Sequence, residues 1–219
     1  MTTSIPTLSR LQVQLADPDA DVRRRAIRHL AFWQRWRALR PLRGALRDPS
    51  VAVRLEVVRA LPQVGDPQAI PALLPLLQDP SVRVRRAVAK ALAALQDPNL
   101  VLHLTPLLAD PDAGVRAAAA TALGTSRDPQ IIPLLALLLA HPPGPERWAA
   151  LEALPKVRDP RIIAPLTLVL ADPQPAWRWR AVRALGHLND RRIIAPLTPL
   201  LADPDWYVRC AAGEALGRL

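Results

Sequence analysis

Slid against itself by 31 residues, the 219-residue sequence matches from end to end, and that repetition restricts the chain to a stacked array of small units. Asp17, Asp48, Asp79, Asp110, Asp172 and Asp203 fall in one column, each followed by proline, and only His141 breaks it. Six residues further on, Arg23, Arg54, Arg85, Arg116, Arg147, Arg178 and Arg209 fill a second column without exception. A unit of this size can bury its apolar face only against its neighbours, so the units stack. The expected organisation is one array with repeats at approximately 4–34, 35–65, 66–96, 97–127, 128–158, 159–189 and 190–219, with no boundary where a second domain would begin.

Composition supports a packed chain, because half of the residues are apolar and a continuous core can form. The single cysteine, Cys210, excludes an internal disulfide and a thiolate metal cage, which suits a reducing cytoplasm. No apolar run behind a basic start marks a secretory signal. The longest apolar stretch, Leu134 to Ala140 with two isoleucines before it, is about half of a membrane span and reads as a buried helix. The expectation is therefore a cytoplasmic protein without membrane contact.

Each repeat resolves into two helices. Asp-Pro marks helix starts at Asp66, Asp79, Asp97, Asp110, Asp128, Asp159 and Asp172, since aspartate suits an N-cap and proline loses nothing at the first helical position. Ser4 takes that column at the N-terminus, so the first helix is expected to begin there. First helices such as IPALLPLL are short, and Pro75, Pro106 and Pro199 in their interiors should kink them. Second helices carry one apolar stripe, exemplified by Val53, Val57, Ala60, Leu61 and Val64, with alanines that permit close stacking.

The segments DPSVRVRRAVAKAL and DPDAGVRAAAATALG resemble the HEAT repeat, in the short form named for phycobilin lyases. The resemblance covers the whole chain and implies an all-α, right-handed α-solenoid of about seven two-helix repeats whose second helices line the concave side. It also implies that the aspartate and arginine columns form a structural ladder of charge-assisted hydrogen bonds between neighbouring repeats, for which the guanidinium fork is well shaped. It leaves function open, because the family supplies scaffolds, lyase subunits, hydroxylases and DNA-binding proteins. Repeat five departs from the pattern: His141 replaces aspartate, Pro142, Pro143, Gly144 and Pro145 crowd the turn, and Glu146 replaces valine, so distorted packing is expected there.

What varies between copies points to the partner. Helical spacing places the residues one and five positions after the column arginine on the exposed concave face. The first column reads Arg24, Leu55, Arg86, Ala117, Trp148, Trp179 and Cys210; the second reads Arg28, Arg59, Lys90, Thr121, Glu152, Arg183 and Glu214. With Arg83 the first half is basic, whereas the second half carries two tryptophans, Tyr207 nearby, and mixed charge. Residues 1–98 hold 16 Lys+Arg against 8 Asp+Glu, and residues 99–219 hold 13 against 11. Six phosphate contacts from such a surface would give a salt slope of roughly −5 on duplex DNA.

Trp33 and Trp177 fall in apolar columns and read as core, while Trp36 takes a proline's place at a turn. Trp148 and Trp179, about 10 Å apart one repeat from each other, read as binding aromatics. With Glu152 and Arg183 they form a set that looks like the HEAT-like alkylpurine DNA glycosylases, in which the indoles would contact a cationic base and the carboxylate would stabilise developing charge. His29, His103, His141 and His187 are scattered and none precedes a glutamate, so the His-Glu pairs of the di-iron hydroxylases built on this repeat are absent, and no phosphate-binding loop or dinucleotide fingerprint occurs. The reading is a non-enzymatic scaffold without metal or cofactor, whose groove engages a protein or peptide; nucleic acid is the alternative partner, and an end-to-end dimer or larger assembly is compatible with the array.

Overall fold

The computed structural model describes residues 7–33 and 35–219, without the side chains of residues 33 and 35–37. Expectations for Ser4, Trp33 and Trp36 lie outside the described side chains. Fourteen α-helices are present and no strand occurs among the described residues. The first helices of the pairs are α1 (Leu8–Gln14), α3 (Arg35–Ala45), α5 (Ala69–Leu73), α7 (Leu100–Leu104), α9 (Ile131–Leu139), α11 (Ile163–Val169) and α13 (Ile194–Leu197). The second helices are α2 (Ala20–Trp33), α4 (Val51–Val64), α6 (Val82–Ala94), α8 (Ala113–Leu123), α10 (Pro145–Val157), α12 (Pro175–Gly186) and α14 (Trp206–Gly217).

The helices gather into two compact units, residues 1–103 and 104–219. In the first, α4 packs between α2 and α6, with α3 and α5 against it from the other layer. In the second, α10 packs between α8 and α12, α12 against α14, and α9, α11 and α13 cover their respective partners. Each core lies between the two helix layers. Val53, Val57, Ala60, Leu61 and Val64 are buried on α4, and Val84, Val88, Ala91 and Leu92 repeat the stripe on α6. Small residues set the spacing of the second helices: a Cβ on Gly124 would come 2.7 Å from the Cβ of Ala153, and one on Gly186 would come 2.9 Å from the Cβ of Ala215.

The interior prolines act by changing helix type. Immediately before Pro75, Pro106 and Pro199 the α-helix gives way to a 3-10 segment, at Leu74–Gln78, Thr105–Ala109 and Thr198–Ala202. Proline removes one i→i−4 bond, and the tighter i→i+3 pattern accommodates the loss.

The Asp-Pro dipeptides work differently from the expected caps. In ten copies, and at Asp190 where arginine replaces the proline, the aspartate Oδ1 accepts the backbone N–H two residues on, at 2.8–2.9 Å, closing an Asx turn. The second helices therefore start two residues later than the dipeptide suggests, and their N-caps include Ser50, Ser81, Asp112 and Asp205. Only Asp159 and Asp190 cap directly, each opening a short 3-10 turn.

The second helices also end in a common way. Gly65 (φ 73°), Gln96 (φ 54°), Arg127 (φ 55°), Arg158 (φ 55°) and Asn189 (φ 50°) occupy one column, 31 residues apart, and all adopt the left-handed conformation. That conformation closes a helix and favours glycine, so the four larger residues are held there by the fold.

Candidate functional site

The aspartate and arginine columns meet between repeats. Arg23 donates from Nε and Nη2 to Asp48 at 2.7 and 2.9 Å, Arg54 to Asp79 at 2.8 and 3.0 Å, and Arg178 to Asp203 at 2.8 and 2.7 Å. Arg147 pairs with Asp172. The remaining nitrogen, Nη1, donates to the carbonyl six residues back, as in Arg85 to Asp79 at 2.8 Å, Arg116 to Asp110 at 2.7 Å and Arg209 to Asp203 at 2.7 Å. Asp17, at the first step, accepts from the N–H of Asp19. Arg23, Arg54 and Arg178 thus each join their own turn to the next repeat's carboxylate. Hydrogen bonds from Arg178 and the Asp205 N–H outweigh burial and hold Asp203 below the usual carboxylate range. Burial raises Asp48, but Arg23 and the Ser50 N–H bring it down overall.

Repeat five solves the missing aspartate with Glu146. Its Oε1 accepts from Arg116 Nη2 at 2.6 Å and lies 3.4 Å from His141 Nδ1, while its side chain is 7% exposed. The fit is less complete than elsewhere: Arg116 Nε, Glu146 Oε2 and Arg147 Nε are buried without hydrogen-bond partners. The Arg116 and Arg147 forks are both single-toothed, and the helix pair α8 and α10 stays packed.

The column five places after the arginine is exposed at every step: Arg28, Arg59, Lys90, Thr121, Glu152, Arg183 and Glu214. The column one place after is not. Leu55 is buried, Arg24 is half-buried, and Arg86 and Trp148 are exposed. Leu55 therefore belongs to the packing of α4 rather than to the exposed face. Arg24 is engaged, with Nη1 3.0 Å from Asp21 and Nε 3.3 Å from Glu56, and Arg28 is 4.0 Å from Glu56. Arg59, Arg83, Arg86 and Lys90 are exposed and make no ion pair among the described residues. They line a groove of about 500 Å³ along α4 and α6 that contains no carboxylate.

In the second unit an open pocket of about 670 Å³ is lined by residues of α10 and α12 and of the turns that follow α8, α10 and α12. Five cations border it, Arg127, Lys156, Arg158, Arg180 and Arg183, against one carboxylate, Glu152. The exposed face of the second half does carry mixed charge, with Glu152 and Glu214 beside Arg183, but this pocket within it is basic. Several of that half's other carboxylates are placed in the ladder and in turns: Asp159 and Asp190 each take a forked contact from Arg161 and Arg192, which holds both at about 2. Summed charge hid what the spatial sorting reveals.

Aromatic side chains buttress one wall. Trp177 is buried in the valine column and meets Trp148 edge-on at 6.5 Å between centroids. The Arg180 guanidinium lies 3.5 Å from the Trp148 ring centroid and 5.9 Å from that of Trp179, and Arg183 lies 4.8 Å from Trp179. Protein cations thus already take cation–π positions beside both indoles. Tyr207 lies apart from this wall; it is exposed and meets Trp206 edge-on at 5.1 Å. Arg127, Lys156, Arg158 and Arg180 escaped the sequence reading of the site. The left-handed column headed by Gly65 was the available signal for Arg127 and Arg158. Among the described residues no cluster of histidine, cysteine or carboxylates could hold a metal ion, and no helix is long and apolar enough to cross a membrane.

The family model for HEAT repeats matches residues 8–89, 70–155 and 163–219. The chain belongs to the HEAT-repeat family. Its fold is an all-helical α-solenoid, and similar solved structures share it. One is from the complex of CpcE and CpcF of phycocyanin lyase from Nostoc sp. PCC7120, at 24% identity and TM-score 0.59 over 100% of this chain and 98% of that one. Human deoxyhypusine hydroxylase in complex with glycerol is similar at 22% identity and TM-score 0.50, over 96% of this chain and 83% of that one. Importin beta is similar at 15% identity and TM-score 0.72, over 96% of this chain and 35% of that one. At these identities the likeness concerns fold alone. No curated protein matches the sequence.

Proposed function

We propose that this HEAT-repeat chain is a non-enzymatic scaffold whose second-helix face binds an acidic segment of a partner protein in the cytoplasm, the seven repeats serving as one array. The observation that carries the reading is the groove of Arg59, Arg83, Arg86 and Lys90, four exposed cations with no carboxylate among its lining residues. Unpaired cations on a rigid helical surface attract and orient an anionic segment, and they act on association rate as much as on affinity. Apolar floor residues such as Leu55 and Ala91 give that segment a dry surface to cover. Assembly with a second protein also has a parallel in the CpcE and CpcF complex.

Nucleic acid is the second reading, since the same cations would meet phosphates. Fluorescence anisotropy of a labelled Glu/Asp-rich peptide and of labelled duplex DNA, each titrated with the full chain at several salt concentrations, separates the two. The scaffold reading expects the peptide to bind more tightly than the duplex near physiological ionic strength. Tighter duplex binding with a salt slope near −5 would give first place to nucleic acid, and binding of neither would remove the face from consideration.

A further inference from the structure

We propose that the pocket of the second unit is a binding site for a compact polyphosphate carried by a small molecule. Arg127, Lys156, Arg158, Arg180 and Arg183 would hold the anion, and Trp179 would stand beside it. The site shares no lining residue with the first unit's groove, so the inference goes beyond the acidic-partner reading and does not depend on it.

Charge comes first. Arginines and lysines after a helix are ordinarily explained by the negative end of the helix dipole. Here the pocket takes residues from the C-terminal ends of α8, α10 and α12, and three such ends supply roughly −1.5 charges in all. Five cations against the single carboxylate of Glu152 exceed that by a wide margin. No described carboxylate lies within ion-pair distance of Arg127, Lys156, Arg158, Arg180 or Arg183, whereas nearby Arg161 and Arg192 are both paired. The excess is local and unanswered.

Geometry selects the anion. Arg180 and Arg183 are fixed against Trp148 and Trp179 at 3.5 and 4.8 Å, and a stacked guanidinium keeps its in-plane N–H groups available to phosphate oxygens. Arg127 and Arg158 stand in the left-handed position where Gly65, Gln96 and Asn189 show that arginine is not a backbone requirement. A peptide spreads single carboxylate charges along its length, whereas a di- or triphosphate concentrates three or four charges in one small group, which suits five cations lining one pocket. About 670 Å³ is room for such a group together with a ring against the half-exposed Trp179.

The test is isothermal titration calorimetry of the full chain with inorganic tripolyphosphate, ATP and orthophosphate at about 0.15 M salt. The paired variant Arg127→Gly with Arg158→Gly removes two charges while placing glycine where the backbone favours it, so folding is preserved and a thermal melt verifies it. Tripolyphosphate is expected to bind one per chain, at least about tenfold more tightly than orthophosphate, and the variant to lose about tenfold or more. ATP binding more tightly than tripolyphosphate would mark Trp179 as a platform for the nucleoside; equal binding would mark a site for the polyphosphate alone. The proposal is overturned if neither polyphosphate gives a saturable heat, if the folded variant binds as well as the parent, or if a Glu-rich peptide occupies this pocket as tightly as tripolyphosphate.

Discussion

Glu146 accepts a hydrogen bond from Arg116 at 2.6 Å and so supplies, from five positions along the chain, the carboxylate that position 141 lacks. The ladder persists because the arginine needs an acceptor in the next repeat, whichever backbone position provides it.

Acid should weaken the ladder. Burial raises Glu146, but Arg116, its backbone contact and His141 leave it below its ordinary 4.5; Asp48 and Asp203 lie below 3.8. A carboxylate depressed in the folded state contributes stability that is complete above its unfolded value and lost as pH falls through the folded one. Denaturant unfolding should therefore show stability constant near neutrality and falling below about pH 4.5. Glu146→Gln should cost about 1–3 kcal/mol near neutral pH, with the gap from the parent closing as acid protonates the parent's carboxylate. A gap that stays constant down to pH 3 would contradict the role given to Glu146.

Ladder and face arginines should separate in the same assay. Arg54 is buried with its fork on Asp79, so Arg54→Met, which strands that carboxylate, should cost about 3–5 kcal/mol. Arg86→Ala on the exposed face should change stability by no more than about 0.5 kcal/mol. Equal effects would mean that the column pairing is not structural.

Two glycines predict opposite signs. Gly124→Ala would push a methyl group into Ala153 and should destabilise by about 1–3 kcal/mol through strain between α8 and α10. Gly44, in α3 with nothing within 4 Å of an added Cβ, should gain about 0.5–1 kcal/mol as alanine. Thermal melts decide both.

The left-handed column gives a fourth test. Gln96→Gly should stabilise by up to about 1 kcal/mol, and Gly65→Ala should destabilise by a similar amount. Identical melting temperatures for all three proteins would show that these helix ends carry no strain.

The helices were legible because one face of a 3.6-residue period must be apolar, and the stripe from Val53 to Val64 is the buried one. Starts of the second helices were misplaced by two residues because the aspartate side chain satisfies the nearest free N–H, two positions on, before the helix begins. The basic pocket was hidden for two reasons. Summing charge over residues 99–219 counts acids such as Asp172 and Asp203, which the ladder holds. Face counting within helices also passes over Arg127 and Arg158, which follow the last turn, and over Arg180, which reaches Trp148 in the preceding repeat.

The most direct test of the scaffold account is the affinity of a labelled Glu/Asp-rich peptide for the chain with Arg59→Glu and Arg86→Glu, compared with the unaltered protein at about 0.15 M salt. The account predicts an unchanged melting temperature and a loss of affinity of at least about tenfold, with weaker dependence on salt. Undiminished binding by the folded double variant would contradict it and place the acidic segment elsewhere.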